Sequence, residues 1–236
     1  KTPKPQRYEI NDVNFSASKW ISDNITAIKI ANNYAQTGII ADGEELLLLR
    51  YHGWGGLHQV FDERKYQTGQ FADARTELKE ILSETEYRQA RSTTLTAMYT
   101  PMDAVNILQL GLTKLGAFNS NRAVSVLDPA AGTGRMLYNL KNIKPHLIEL
   151  DPITAKISTA IFGKDYIQNV GFEKSNLLNN VFDVIIANPP FGDFKVSDLN
   201  IKPSSIHNYF MMKSIDVMRD GGVGAFIVSR YFLDAK

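Results

Sequence analysis

The chain has 236 residues, 44% hydrophobic and 22% charged, enough for one large domain or two small ones of ordinary globular composition. Lys+Arg 26 stand against Asp+Glu 25, and a net charge of +1 neither supports nor excludes a nucleic-acid partner, because a basic face can hide in a neutral total. Cysteine is absent from the sequence, which excludes a disulfide framework, a thiolate zinc site and an iron–sulfur cluster.

No apolar stretch approaches the roughly 20 residues that span a bilayer, so no membrane partner is expected. The opening residues, Lys1-Thr2-Pro3-Lys4-Pro5-Gln6-Arg7, carry no secretory apolar run, and the cytoplasm is the expected compartment. They also lack an initiator Met, as expected of a chain trimmed or cut from something longer.

Two regions are predicted to meet near residue 98. Residues 1–98 read as helical and irregular. Ile21, Ile25, Ile28 and Ala35 recur at helical spacing between Ser18 and Gly38, with the glycine as a stop. Asp42 and Glu45 read as a capping pair for a segment over 46–49, and Ser83-Glu84-Thr85-Glu86 as a capping box. Between them, Tyr51-His52-Gly53-Trp54-Gly55-Gly56-Leu57 holds too many glycines for regular helix and reads as a shaped loop. Trp54 is expected to pack in a core or between regions, with DNA contact as the alternative. Arg64-Lys65 reads as a solvated face.

Residues 99–236 alternate β-rich and helical runs. Thr100-Pro101, with Asp103, predicts a capped helix to about Leu115. Strands are predicted at 124–127, 147–150, 167–170, 182–187 and 223–228, with helices near 153–161 and 206–218. This pattern predicts an α/β fold with a mostly parallel sheet and helices on both faces.

The first strand runs into Asp128-Pro129-Ala130-Ala131-Gly132-Thr133-Gly134, a turn whose glycines let the backbone approach a ligand. Leu137 stands where a dinucleotide fingerprint wants glycine. The next strand ends in Glu149-Leu150-Asp151, an acid 17 positions beyond Gly132. Such a carboxylate can accept two hydrogen bonds from a ribose diol; Glu149 is the first choice and Asp151 the second. In register on consecutive strands, the two motifs point to a nucleoside.

The 182–187 strand delivers Asn188-Pro189-Pro190-Phe191. Its prolines fix the backbone and leave carbonyls free, so the Asn188 amide oxygen and the Pro189 carbonyl can both face one amino group, and Phe191 offers a stacking face. His52, His58, His146 and His207 have no metal-ligand spacing, and no metal site is expected. Phe210 reads as core, with lining of a base pocket as the alternative.

In this order, Asp-Pro-Ala-Ala-Gly-Thr-Gly, Ile-Glu-Leu-Asp and Asn-Pro-Pro-Phe resemble the motifs of N6-adenine DNA methyltransferases. Tyr-x-Gly-Trp-Gly-Gly-Leu, Tyr99-Thr100-Pro101 and His207-Asn208-Tyr209-Phe210 are similar to the methylase region of methylase–helicase proteins of phages, plasmids and integrative elements. The resemblance runs from about residue 20 to the end. It implies a Rossmann-like fold, S-adenosylmethionine as cofactor, DNA as partner and restriction-modification chemistry. It also implies that Asn188, Pro189 and Pro190 with Phe191 form the catalytic centre. Tyr99, Thr100 and Pro101 would close over the methionine part of the cofactor. Asp128, Pro129, Ala130, Gly132 and Gly134 would hold its amino-acid end. Glu149 and Leu150 would meet its ribose, and Phe172-Glu173, with Asn176 behind, its adenine.

The family fold would continue past the fifth strand with an antiparallel hairpin and a target-recognition domain, so the sheet is expected to be truncated at Lys236 and completed by further domains or another chain. Lack of cysteine removes the thiolate route to cytosine carbon 5 and the radical route, leaving direct transfer to a nucleophilic heteroatom. Similar Asn-Pro-Pro-aromatic motifs serve ribosomal RNA bases and protein glutamines, and a non-catalytic cofactor-binding module is the third alternative.

Overall fold

The computed structural model describes residues 16–95, 99–190, 196, 198, 201, 205–228 and 232. The N-terminal part is helical: α1 (Ala17–Thr37), α2 (Glu44–Leu48), α3 (Gln70–Ile81) and α4 (Glu84–Ser92). Ser16 accepts from the Lys19 amide to start α1, and Gly38, in the left-handed region at φ 69°, ends it as its spacing predicts. The Ser83–Glu86 capping box at α4 forms in both directions. Helix α2 departs from expectation. Its cap is Gly43 at φ 85°, and the Glu44 carboxylate, not Asp42, reaches back to the Ala41 amide at 2.8 Å. A positive φ at the cap favours glycine there, which leaves Asp42 no capping geometry.

After α5 (Met102–Lys114) come β1 (Val124–Asp128), β2 (Ile143–Ile148), α6 (Pro152–Phe162), β3 (Ile167–Gln168), β4 (Phe182–Ala187), α7 (Ile206–Val217) and β5 (Met218–Phe226). All strand pairs are parallel, in the order β3-β2-β1-β4-β5. This is the Rossmann-like α/β sheet predicted, and order reverses between β1 and β4. Two strands begin earlier than their sequence suggests. β2 contains Pro145, tolerated because β3 pairs only with Leu147 and Ile148 and leaves the first half of β2 with one neighbour. β5 starts at Met218 and absorbs Gly221-Gly222 as a register shift against Phe182 and Val184.

The strands divide two cores by their period of two. Val126, Val184 and Ile186 face a cluster with α5, whereas Leu127 and Ile185 face one with α7. A third core joins the N-terminal helices to Ile153, Ile157 and Ala160 of α6. Trp54 is fully buried there, edge-on to Phe61 at 5.4 Å, which settles its role as packing. Lys156 of α6 adds a polar tie, donating to Asn32 of α1 and Glu86 of α4 at 2.7 and 2.6 Å. At the other end of the sheet, Asp183 accepts from Arg122, Arg219 and the Ser125 amide; desolvation opposes its charge, but these donors hold the carboxyl down at about 2. None of the described helices is long and apolar enough to cross a membrane.

Candidate active site

The carboxyl ends of β1, β2 and β4 open on a cavity of about 420 Å³, at the point where strand order reverses. The turn after β1 forms one wall. Asp128 is fully buried behind it, one carboxylate oxygen accepting from the Ala130 amide at 3.1 Å and the other buried without a partner among the described residues. Burial pushes its carboxyl up to about 8. Gly132 (φ 56°) lies under the Tyr99 ring so closely that a Cβ would stand 3.1 Å from it. The Tyr99 hydroxyl meets the Thr154 hydroxyl at 2.9 Å, and Thr154 bonds to Asp151, the cap of α6.

Glu149 spans from the second strand to the glycine turn. One carboxylate oxygen accepts from the Gly132 amide and the other from the Asp151 amide, both at 2.7 Å. Each oxygen keeps a second lone pair for a ligand hydroxyl. Burial raises the Glu149 carboxyl to about 7, against the lowering effect of its amide donors. Asp151 also lines the cavity, with its Oδ1 buried and unpartnered among the described residues.

Asn188 follows β4. Its amide nitrogen donates to the Thr100 hydroxyl at 3.0 Å, while its amide oxygen is buried with no partner among the described residues. This corrects the expected role of Thr100 as a helix cap: Pro101 occupies the cap position of α5 and no side chain caps it. Thr100 instead orients the asparagine. A buried acceptor left without a donor is costly, which makes this oxygen a candidate to receive one from a bound ligand.

The cavity gathers most of the residues predicted from sequence. Tyr99, Thr100, Pro129, Ala130 and Gly132 line it, as do Glu149, Leu150, Phe172, Glu173, Asn188 and Pro190. Phe210 both lines it and belongs to the α7 core, tilted against Phe172 at 5.1 Å. Pro101, Asp128, Gly134 and Pro189 are not on its surface, and Phe191 lies outside the described residues. Sequence reading missed Tyr51, Gly53 and Arg135, which also line the cavity. No local periodicity links Arg135 to residues about 85 positions earlier; only the Tyr51-His52-Gly53 motif itself gave a signal.

The model of the Eco57I restriction-modification methylase family matches residues 102–236. No curated protein matches the chain. Among solved structures, a type I restriction-modification system methyltransferase subunit from Streptococcus thermophilus is 16% identical, over 85% of this chain and 55% of its own, with a TM-score of 0.45. A protein described as a class I S-adenosylmethionine-dependent methyltransferase from Listeria monocytogenes is 15% identical over 93% and 76%, with a TM-score of 0.47. One described as an RNA methyltransferase from Pyrococcus horikoshii is 21% identical over 58% and 66%, with a TM-score of 0.41.

Proposed function

Because the chain belongs to the Eco57I restriction-modification methylase family, whose cofactor is S-adenosylmethionine, we propose that it methylates the N6 amino group of adenine in DNA. The observation that carries this reading is the Asn188 amide: its nitrogen is held by Thr100, and its buried oxygen has no partner among the described residues. That oxygen suits an aryl amine, which must turn its lone pair out of conjugation before it can attack. The cavity fits the cofactor on features of its own, namely the Gly132 turn under Tyr99, the Glu149 carboxylate and the unpartnered Asp151 oxygen.

S-adenosylmethionine, when bound, would supply a methyl carbon on a sulfonium, whose departing sulfur would become a neutral thioether while the methylated amine gave one proton to solvent. Asn188 takes up no proton at neutral pH, so its part is orientation of the amine, with in-line placement giving most of the rate. Phe210, and Phe191 by its place in the sequence, are the candidates for stacking on the base. A base inside a duplex cannot reach a cavity of this kind, so extrusion of the target adenine is part of the proposal.

Transfer of a tritiated methyl group to DNA, RNA and protein acceptors tests the substrate class. Label is expected in DNA. Label confined to RNA or to protein would overturn the proposal.

Glu149 gives a pH signature. Its carboxyl is raised to about 7 in the open cavity, and a ribose diol donating to it would favour the charged form and lower that value. Affinity for the cofactor should therefore be full above pH 7 and fall as pH drops, by about tenfold between pH 7.5 and 6. Glu149→Gln should bind weakly at every pH and lose this dependence. Calorimetric affinities of the wild type that stay flat across the range would remove Glu149 from the ribose.

A further inference from the structure

The Tyr51-His52-Gly53-Trp54-Gly55-Gly56-Leu57 motif belongs to the N-terminal helical region, yet Tyr51 and Gly53 line the cavity at the ends of the parallel strands. Their connection to that cavity runs through Arg135, the residue after the second glycine of the β1 turn. Arg135 is buried, and its guanidinium donates through Nε and Nη2 to the Leu49 carbonyl at 3.0 and 2.6 Å, and through Nη2 to the Tyr51 carbonyl at 3.1 Å. The same guanidinium lies over the Tyr99 ring, 5.6 Å from its centroid, and Tyr51 meets that ring edge-on at 5.7 Å. Tyr99 is the ring that covers Gly132. One planar cation thus holds a loop of the helical region and a wall of the cavity in a single arrangement, which a flexible point charge could not do.

The loop is fixed from its other side too. Asn24 of α1, fully buried, donates to the Gly53 carbonyl at 2.6 Å and accepts from the His52 amide at 2.7 Å. Gly53 takes φ 69°, a conformation that favours glycine, so its backbone can turn toward the cavity between these two bonds. Trp54 then buries its whole side chain in the core of the helical region.

We propose that Tyr51 and Gly53 form the second half of the cofactor site, and that Arg135 is the positioning residue that holds their loop and Tyr99 against the glycine turn. This rests on the cavity being the S-adenosylmethionine site. Arg135 acts through Tyr51 and Tyr99, so its loss should loosen cofactor binding and leave DNA recognition alone.

Two measurements test this. In wild-type chain, hydrogen–deuterium exchange with and without S-adenosylmethionine should show slowed exchange in peptides covering residues 49–57, although they lie outside the parallel sheet. In parallel, Arg135→Met and Arg135→Lys should each weaken calorimetric cofactor affinity about tenfold or more, and raise the KM for S-adenosylmethionine while the KM for DNA stays within about threefold. Lysine retains the charge but not the fork, so it should not rescue. Wild-type binding without protection of residues 49–57 would overturn the inference, and so would a folded variant with unchanged affinity. Absence of any binding to wild type would overturn the cofactor reading itself, and this inference with it.

Discussion

Asn188→Ala should reduce methyl transfer by about a thousandfold or more, while affinity for S-adenosylmethionine stays within a few-fold of wild type. The asymmetry follows from geometry. The glycine turn and Glu149, candidates for holding the cofactor, are bonded to one another and do not depend on the asparagine. The amide oxygen, by contrast, is buried and unpartnered among the described residues, and its orientation is set by the bond from its own nitrogen to Thr100. Alanine removes both ends of that arrangement, leaving the target amine without its acceptor and Thr100 without its donor. Single-turnover rates separate the step from binding. Transfer at the wild-type rate would take the residue out of the catalytic centre; a parallel collapse of cofactor affinity would move it to the cofactor half of the site.

The second large effect is on stability. Gly134→Ala should cost about 2–5 kcal/mol, a substantial part of the roughly 5–15 kcal/mol that holds a typical domain together. Gly134 has φ 81°, where a non-glycine residue pays about 1–2 kcal/mol. Its new Cβ would also collide with the Phe162 ring and come within 2.9 Å of the Leu147 side chain, and crowding of this kind costs about 1–3 kcal/mol more. Leu147 is buried in the core of the sheet, so it has little room to give. Gly132→Ala should be milder for the fold, because the nearest atom its Cβ would meet belongs to the Tyr99 ring, at 3.1 Å. Denaturant midpoints of the two variants check the order; an unchanged midpoint for Gly134→Ala would mean that the turn is not packed as described.

What could be read from the sequence follows a physical rule. Features specified within a few residues were legible. The Ser83–Glu86 box is a local hydrogen-bond exchange, the β4 run of Phe182–Ala187 is a strand apolar but for Asp183, and Gly38 stops α1 through its own φ. The pairing of Gly132 with Glu149 was legible too, since parallel β1 and β2 bring their carboxyl ends together. Features that depend on distant partners were not. Thr100 reads as a cap and instead bonds Asn188, 88 residues away. Arg135 reads as an ordinary charged residue after a turn, and its carbonyl partners are 84 and 86 residues earlier. Asn24 carries no signal in the helical spacing of Ile21, Ile25 and Ile28, and its buried amide holds the loop at His52 and Gly53. Strand starts were obscured by Pro145 and by Gly221-Gly222, which interrupt the apolar pattern without interrupting the strands.

The same reading left four of the nominated residues off the cavity surface. Asp128 is the instructive one, because its position at the end of β1 is as expected but its carboxylate turns into the protein. Its contribution is to shape the turn through the Ala130 amide rather than to present an oxygen to the cavity.

The central claim is a transfer to the exocyclic nitrogen of adenine, with Asn188 as acceptor. The most direct measurement is mass spectrometry of nucleosides from duplex DNA incubated with the chain and isotopically labelled S-adenosylmethionine. The account predicts labelled N6-methyldeoxyadenosine with the wild type and its loss with Asn188→Ala. Label in 5-methyldeoxycytidine or N4-methyldeoxycytidine, or equal N6-methyldeoxyadenosine from both proteins, would contradict it.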